Sequence, residues 1–235
     1  MCASRKQAIR VVVAVILGLF VLFAASVLAV IVSQFVPDTL GLLGEMGFLT
    51  HTGMLTLSTI LIWLLTKDNV SHYGFRRPFD CDWTRVILLS IVTGLLVASI
   101  RTAVMGGEDG TIEDYFGIQI IIGVWAYASI AEEFLTRGLI QGYLEPLTEP
   151  DVTSSENRIS IPVLVGALFF ALMHFAMVTL GLSITSVVAT VVSAFFMGII
   201  AGHYREKTGS LVPPILVHML FNITGSIVFF LSGLL

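Results

Sequence analysis

Charged side chains are scarce in this chain. Asp, Glu, Lys and Arg make up 12% of its 235 residues, about half the ~25% of an ordinary soluble domain. That shortage excludes a nucleic-acid-binding protein, whose affinity comes largely from basic groups facing phosphates. It also excludes a disordered regulator, which stays solvated through its charge. Cysteine is nearly absent too. Cys2 and Cys81 are the only two, too few for a small disulfide-stapled secreted domain, and both fall where a reducing compartment is expected, so no structural disulfide is expected. The motifs of nucleophilic hydrolases are missing as well: no G-x-S-x-G occurs, and no cysteine lies near a histidine in an apolar run.

What the chain has is apolar length. Hydrophobic residues make up 56% and mean hydropathy is +0.96. A bilayer core takes about 20 residues of helix, because every backbone group must be paired within the segment. Seven runs qualify: Val11–Val36, Gly47–Thr66, Val86–Met105, Gly117–Leu144, Ile161–Val178, Leu182–Gly202 and Leu211–Leu235. The first is too long for a cleaved signal peptide and reads as a retained anchor. The fifth and sixth come from one stretch without acidic residues, Lys or Arg, broken near Gly181. The expected fold is all-α: a polytopic transmembrane helix bundle of about seven spans, within a range of six to eight. Residues 1–235 form a single integral membrane domain in this reading, and the lipid bilayer is its first partner.

Basic residues set the orientation. With a cytoplasmic N-terminus, Arg5, Lys6, Arg10, Lys67, Arg76, Arg77, Arg85, Arg158, Arg205 and Lys207 all fall on the inner side. The outer loops Pro37–Met46 and Gly106–Phe116, and the turn near Gly181, carry no Lys or Arg. The positive-inside rule therefore supports this topology. Two GxxxG spacings, Gly138/Gly142 and Gly198/Gly202, suggest close helix contacts in the fourth and sixth spans.

A few polar residues sit where they are expensive, since a charge at mid-membrane costs about 2.5–3.5 kcal/mol on insertion scales. They are Glu132, Glu133 and Arg137, then His174, then His218 and Asn222. Each has a plain structural explanation. Glu133 and Arg137, four apart, form an ion pair on one helix face, and a lone histidine between helices is more often a packing residue than a base. Glu132, rotated by about 100° from Glu133, finds no partner in its own helix. Depth argues for more. At 1.5 Å per residue, Glu132 lies about 18 Å, His174 about 20 Å, His218 about 10 Å and Asn222 about 16 Å from the cytoplasmic ends of their spans. Within boundary error these share a layer, and converging groups of this kind mark a functional site.

A glutamate beside a histidine in such a layer can hold and deprotonate a water. His218 and Asn222 supply N–H donors suited to the oxyanion of a tetrahedral intermediate. Together they describe amide hydrolysis by activated water. Glu132, His174 and His218 could instead hold a zinc ion with an open position, although no compact H-E-x-x-H motif exists. Cofactor need is thus open between none and one divalent metal.

Glu132-Glu133-Phe-Leu-Thr-Arg137 fits an EExxxR motif, Phe170-Ala-Leu-Met-His174 fits FxxxH, and His218-Met-Leu-Phe-Asn222 fits HxxxN. In order and spacing the chain resembles the CAAX protease and bacteriocin-processing family, also called Abi or type II CAAX prenyl protease-like, a group of intramembrane endopeptidases. The resemblance runs over residues 126–222, and Tyr73-Gly-Phe-Arg-Arg-Pro78 also looks like a loop common before the third span. It implies that Glu132 activates water with the help of His174, that His218 and Asn222 stabilise the oxyanion, and that Glu133 and Arg137 hold the geometry. Family members are labelled metalloproteases, while a metal-free glutamate mechanism is also argued for them; the lack of a compact ligand motif favours the latter. The implied partner is a protein or peptide substrate, prenylated in the eukaryotic members. Two other readings compete: a non-catalytic immunity or export partner that keeps the polar cluster for folding or binding, and a proton-coupled transporter. Against transport stands the lack of two matching halves with broken helices.

Overall fold

The computed structural model of the chain describes residues 2–36, 47–66, 69–105, 120–147 and 159–232. Among these, every regular element is helical. They form α1 (Cys2–Ser33), α2 (Phe48–Thr66), α3 (Trp83–Met105), α4 (120–147), α5 (Ile161–Met173, continued as a 3-10 helix over His174–Leu180), α6 (Ile184–Thr208) and α7 (Val212–Ser232). Six of these are long and apolar enough to cross a membrane. The chain is an integral, multi-pass membrane protein.

Local chemistry sets the helix ends. Ser160 and Ser183 cap α5 and α6 by accepting from the Val163 and Ser186 amides. Gly181 ends the 3-10 segment at φ 84°, and Gly209 ends α6 at φ 66°, a backbone state that glycine adopts without a Cβ clash. The break near Gly181 stands where the sequence suggested it. Apolar side chains such as Phe20, Phe23, Trp63, Val92 and Phe196 are exposed on the outer faces, which suits lipid as solvent.

The fourth run differs from the other six. Over its described residues it alternates between π-helical stretches (Ile120–Ala128 and Phe134–Ile140) and α-helical ones (Ser129–Glu133 and Gln141–Leu144). Residues 135–142 are all buried, so this part of α4 is enclosed by the other helices. Leu135, Leu139, Ile140 and Leu144 pack with Ala14, Val21 and Ala25 of α1 and Met54 and Ile62 of α2. A second core gathers Val86, Phe170, Ala194, Met197 and Val217 from α3, α5, α6 and α7. Adjacent residues of α5 serve the two cores, Phe169 the first and Phe170 the second. A Cβ on Gly198 would lie 3.0 Å from Ala167 Cα, and one on Gly202 3.1 Å from Val163 Cγ1. The GxxxG face of α6 is therefore a close seat for α5.

Several basic side chains meet at one end of the bundle. Arg10 Nε donates to the Tyr143 carbonyl (2.8 Å), Arg76 Nε to that of Gly209 (2.9 Å), and Arg205 Nη2 to that of His72 (2.7 Å). The loop containing Tyr73–Pro78 is docked onto the α6–α7 turn by further bonds, from the Leu211 amide to Gly74 O and from Ser210 Oγ to Arg76 O. Cys81, in the same region, is a free thiol. Lys67, Arg158 and the expected outer loops Pro37–Met46 and Gly106–Phe116 lie outside the described residues.

Candidate active site

Glu132 and Glu133 occupy the short α-helical stretch of α4 between its two π-helical ones. A π-helical turn within an α-helix is uncommon and accompanies functional sites more often than chance allows. Glu133 is fully buried, and its Oε1 accepts from Arg137 Nη1 at 2.9 Å and from His218 Nδ1 at 3.0 Å. Arg137, equally buried, also donates to Thr136 Oγ1 (2.7 Å) and to the Gly198 carbonyl (3.0 Å), and its guanidinium lies 4.8 Å over the Phe170 ring. One ion pair thus joins α4 to α5, α6 and α7.

Glu132 points another way and is 13% exposed. Its Oε1 lies 3.1 Å from Nε2 of His51 on α2, and its Oε2 lies 3.7 Å from Nε2 of His218. Proton positions follow from the partners. A carbonyl only accepts, so His51 Nδ1–H donates to Gly47 O (2.9 Å). The close Nε2–Oε1 contact then requires one further proton between His51 and Glu132. By the same reasoning, His174 donates through Nδ1 to Phe170 O (2.8 Å), which leaves its Nε2 as an acceptor unless the ring is charged.

The site residues named from the sequence come together as follows. His218 links Glu132 to Glu133, and Glu133 in turn pairs with Arg137. His174 joins through Phe170, whose ring lies edge-on to both His174 (5.0 Å) and His218 (5.2 Å). Asn222 Nδ2 donates to Val124 O (3.1 Å) and Ser129 Oγ (3.0 Å), fastening α7 to α4. His174, His218 and Asn222 line a cavity of about 180 Å³ together with Phe170, Arg101 and Thr190. That volume admits several water molecules; Glu132 is not among the lining residues and is linked to the cavity through His218, 3.7 Å from its Oε2.

The sequence reading missed His51. Its signal was a histidine in the second apolar run, but one turn from the run's start, where a polar side chain reaches the interface at little cost. Nothing in spacing separated it from an ordinary interfacial residue. Among the described residues, no group of three His, Cys, Asp or Glu side chains is gathered to hold a metal ion. Glu132, His174 and His218 as arranged do not fit a zinc site.

Residues 115–224 match the family model described as type II CAAX prenyl endopeptidase Rce1-like. Over these residues the chain is similar to that family. The matched stretch carries all three motifs, from Glu132 to Asn222, and leaves α1 to α3 outside it. No curated protein and no solved structure matches the chain.

Proposed function

We propose that the chain is an intramembrane endopeptidase that hydrolyses a peptide bond of a membrane-associated or lipidated substrate with a water activated by Glu132. One observation carries this reading. Of two adjacent carboxylates, only Glu132 keeps a reachable side chain, and it faces His218 beside a cavity that His174 and Asn222 also line. Glu132 takes a proton from the water as its oxygen bonds to the scissile carbonyl carbon. His174, with an acceptor at Nε2, helps to hold that water. His218, held at Nδ1 by Glu133, presents its Nε2 edge to the developing oxyanion as a hydrogen-bond donor. Asn222 assists by turning one amide hydrogen from Ser129 to the oxyanion when substrate arrives. As the C–N bond breaks, Glu132 returns its proton to the leaving amine, so atoms and charge balance.

The basic groups gathered around Arg10, Arg76 and Arg205 support a cytoplasmic N-terminus. A prenylated or otherwise lipidated protein suits a site reached within the bilayer. Comparing membrane proteins in cells carrying the wild-type and Glu132→Ala chains tests the proposal. At least one protein should persist uncut only in the variant; identical profiles would overturn the reading. Metal analysis and chelator treatment of the active protein test the mechanism. Undiminished cleavage of metal-free protein fits water activation by Glu132 alone, whereas loss restored by zinc would replace that mechanism with a metal-dependent one.

A further inference from the structure

His51 lies outside the matched residues 115–224 and on a different helix from every motif, yet it makes the shortest side-chain contact of Glu132 among the described residues, 3.1 Å. Both of its ring nitrogens are engaged, one by Gly47 O and the other by Glu132 Oε1. We infer that His51 is a positioning residue for Glu132: it holds one carboxylate oxygen so that the other alone faces His218 and the reacting water. This rests on the endopeptidase reading above.

The physical need is clear. A terminal carboxylate rotates broadly about its last torsion, and a base works only when its reacting oxygen stays within hydrogen-bond reach. Anchoring Oε1 removes that rotation and leaves Oε2 on the His218 side. His51 is itself held, because its Nδ1–H bond to Gly47 O spans the first turn of α2. That turn is fastened to α4 beside the site: Thr52 Oγ1 bonds Tyr127 OH at 2.7 Å, and the Phe48 ring stacks on Tyr127 at 4.6 Å. The series from the Gly47 carbonyl through His51 to Glu132 has the form of an orienting group, an intermediary and a base.

The test uses the full chain in nanodiscs, with a farnesylated peptide as cleavage probe and ¹⁵N-histidine NMR on the same samples. His51→Ala should lower kcat by up to about 100-fold with KM unchanged, the order of loss when a reacting group is misplaced by about 1 Å. His51→Gln, whose amide can donate to Oε1, should recover most of the rate, while His51→Phe, similar in bulk without a donor, should not. Should His51→Ala fail to accumulate, the Gln and Phe variants decide. Wild-type kcat in His51→Ala, with Glu132→Ala inactive, would overturn the role of His51 and leave the endopeptidase reading intact. Equal cleavage by wild type and Glu132→Ala, or none by either, would remove the support for that reading, and the spectrum then decides the contact without any substrate. The His51 Nε2 resonance should move in Glu132→Gln, and an unmoved resonance overturns the inference.

Discussion

Glu133 and Glu132 are neighbours on α4, yet Glu133 is sealed against Arg137 and His218 while Glu132 remains 13% exposed between His51 and His218. About 100° of helical rotation separates the two, and with it a sealed ion pair from a carboxylate that stays reachable. On the sealed side, Arg137 ties α4 to the Gly198 carbonyl of α6 and to the Phe170 ring of α5. On the reachable side, Glu132 meets His51 at 3.1 Å and His218 at 3.7 Å. The pair teaches that a buried charge cluster in a membrane protein can spend one member on fixing the helices so that another stays available.

Four substitutions can break or sharpen that contrast. Glu132→Gln keeps shape and removes basicity; cleavage should fall about 10²–10⁴-fold while the thermal midpoint in detergent stays near wild type. A variant that unfolds instead would place Glu132 with Glu133 on the structural side. Arg137→Ala strands Glu133 as a buried unpaired charge and should cost about 3–5 kcal/mol of stability, seen as low yield and a lowered midpoint. Normal stability there would dissolve the sealed side altogether. Gly198→Ala brings a Cβ to 3.0 Å from Ala167 Cα and 3.2 Å from Arg137 Nη2, and overpacking of that kind costs about 1–3 kcal/mol; a melting curve reads it. The smallest effect belongs to Gln141→Ala, which removes the 2.9 Å bond to Gly202 O and should cost about 1 kcal/mol, with kcat unchanged.

Much of the site was legible because its parts repeat at helical spacing. Glu133 and Arg137, four apart, met as an ion pair because i and i+4 share a helix face. His174, His218 and Asn222 reached one cavity because their depths agreed. Two features escaped. The alternation of π and α winding in α4 leaves no composition signal, since it depends on what the surrounding helices press against each turn. His51 escaped because its partner is 81 residues away, and pairing at that distance has no period. Asn222 lines the same cavity as His218, but the acceptors that hold its amide, Val124 O and Ser129 Oγ, could only be read from packing.

Hydropathy and charge by themselves determined that this chain lives in a bilayer as a helical bundle, because apolar length and backbone pairing leave no other soluble form for such a composition. They also named the polar residues too costly to be accidental. Which of two adjacent glutamates is sealed and which is reachable was decided only by tertiary structure. That outcome depends on which helices crowd each side of α4, and contacts between distant segments are set by packing rather than by any local pattern.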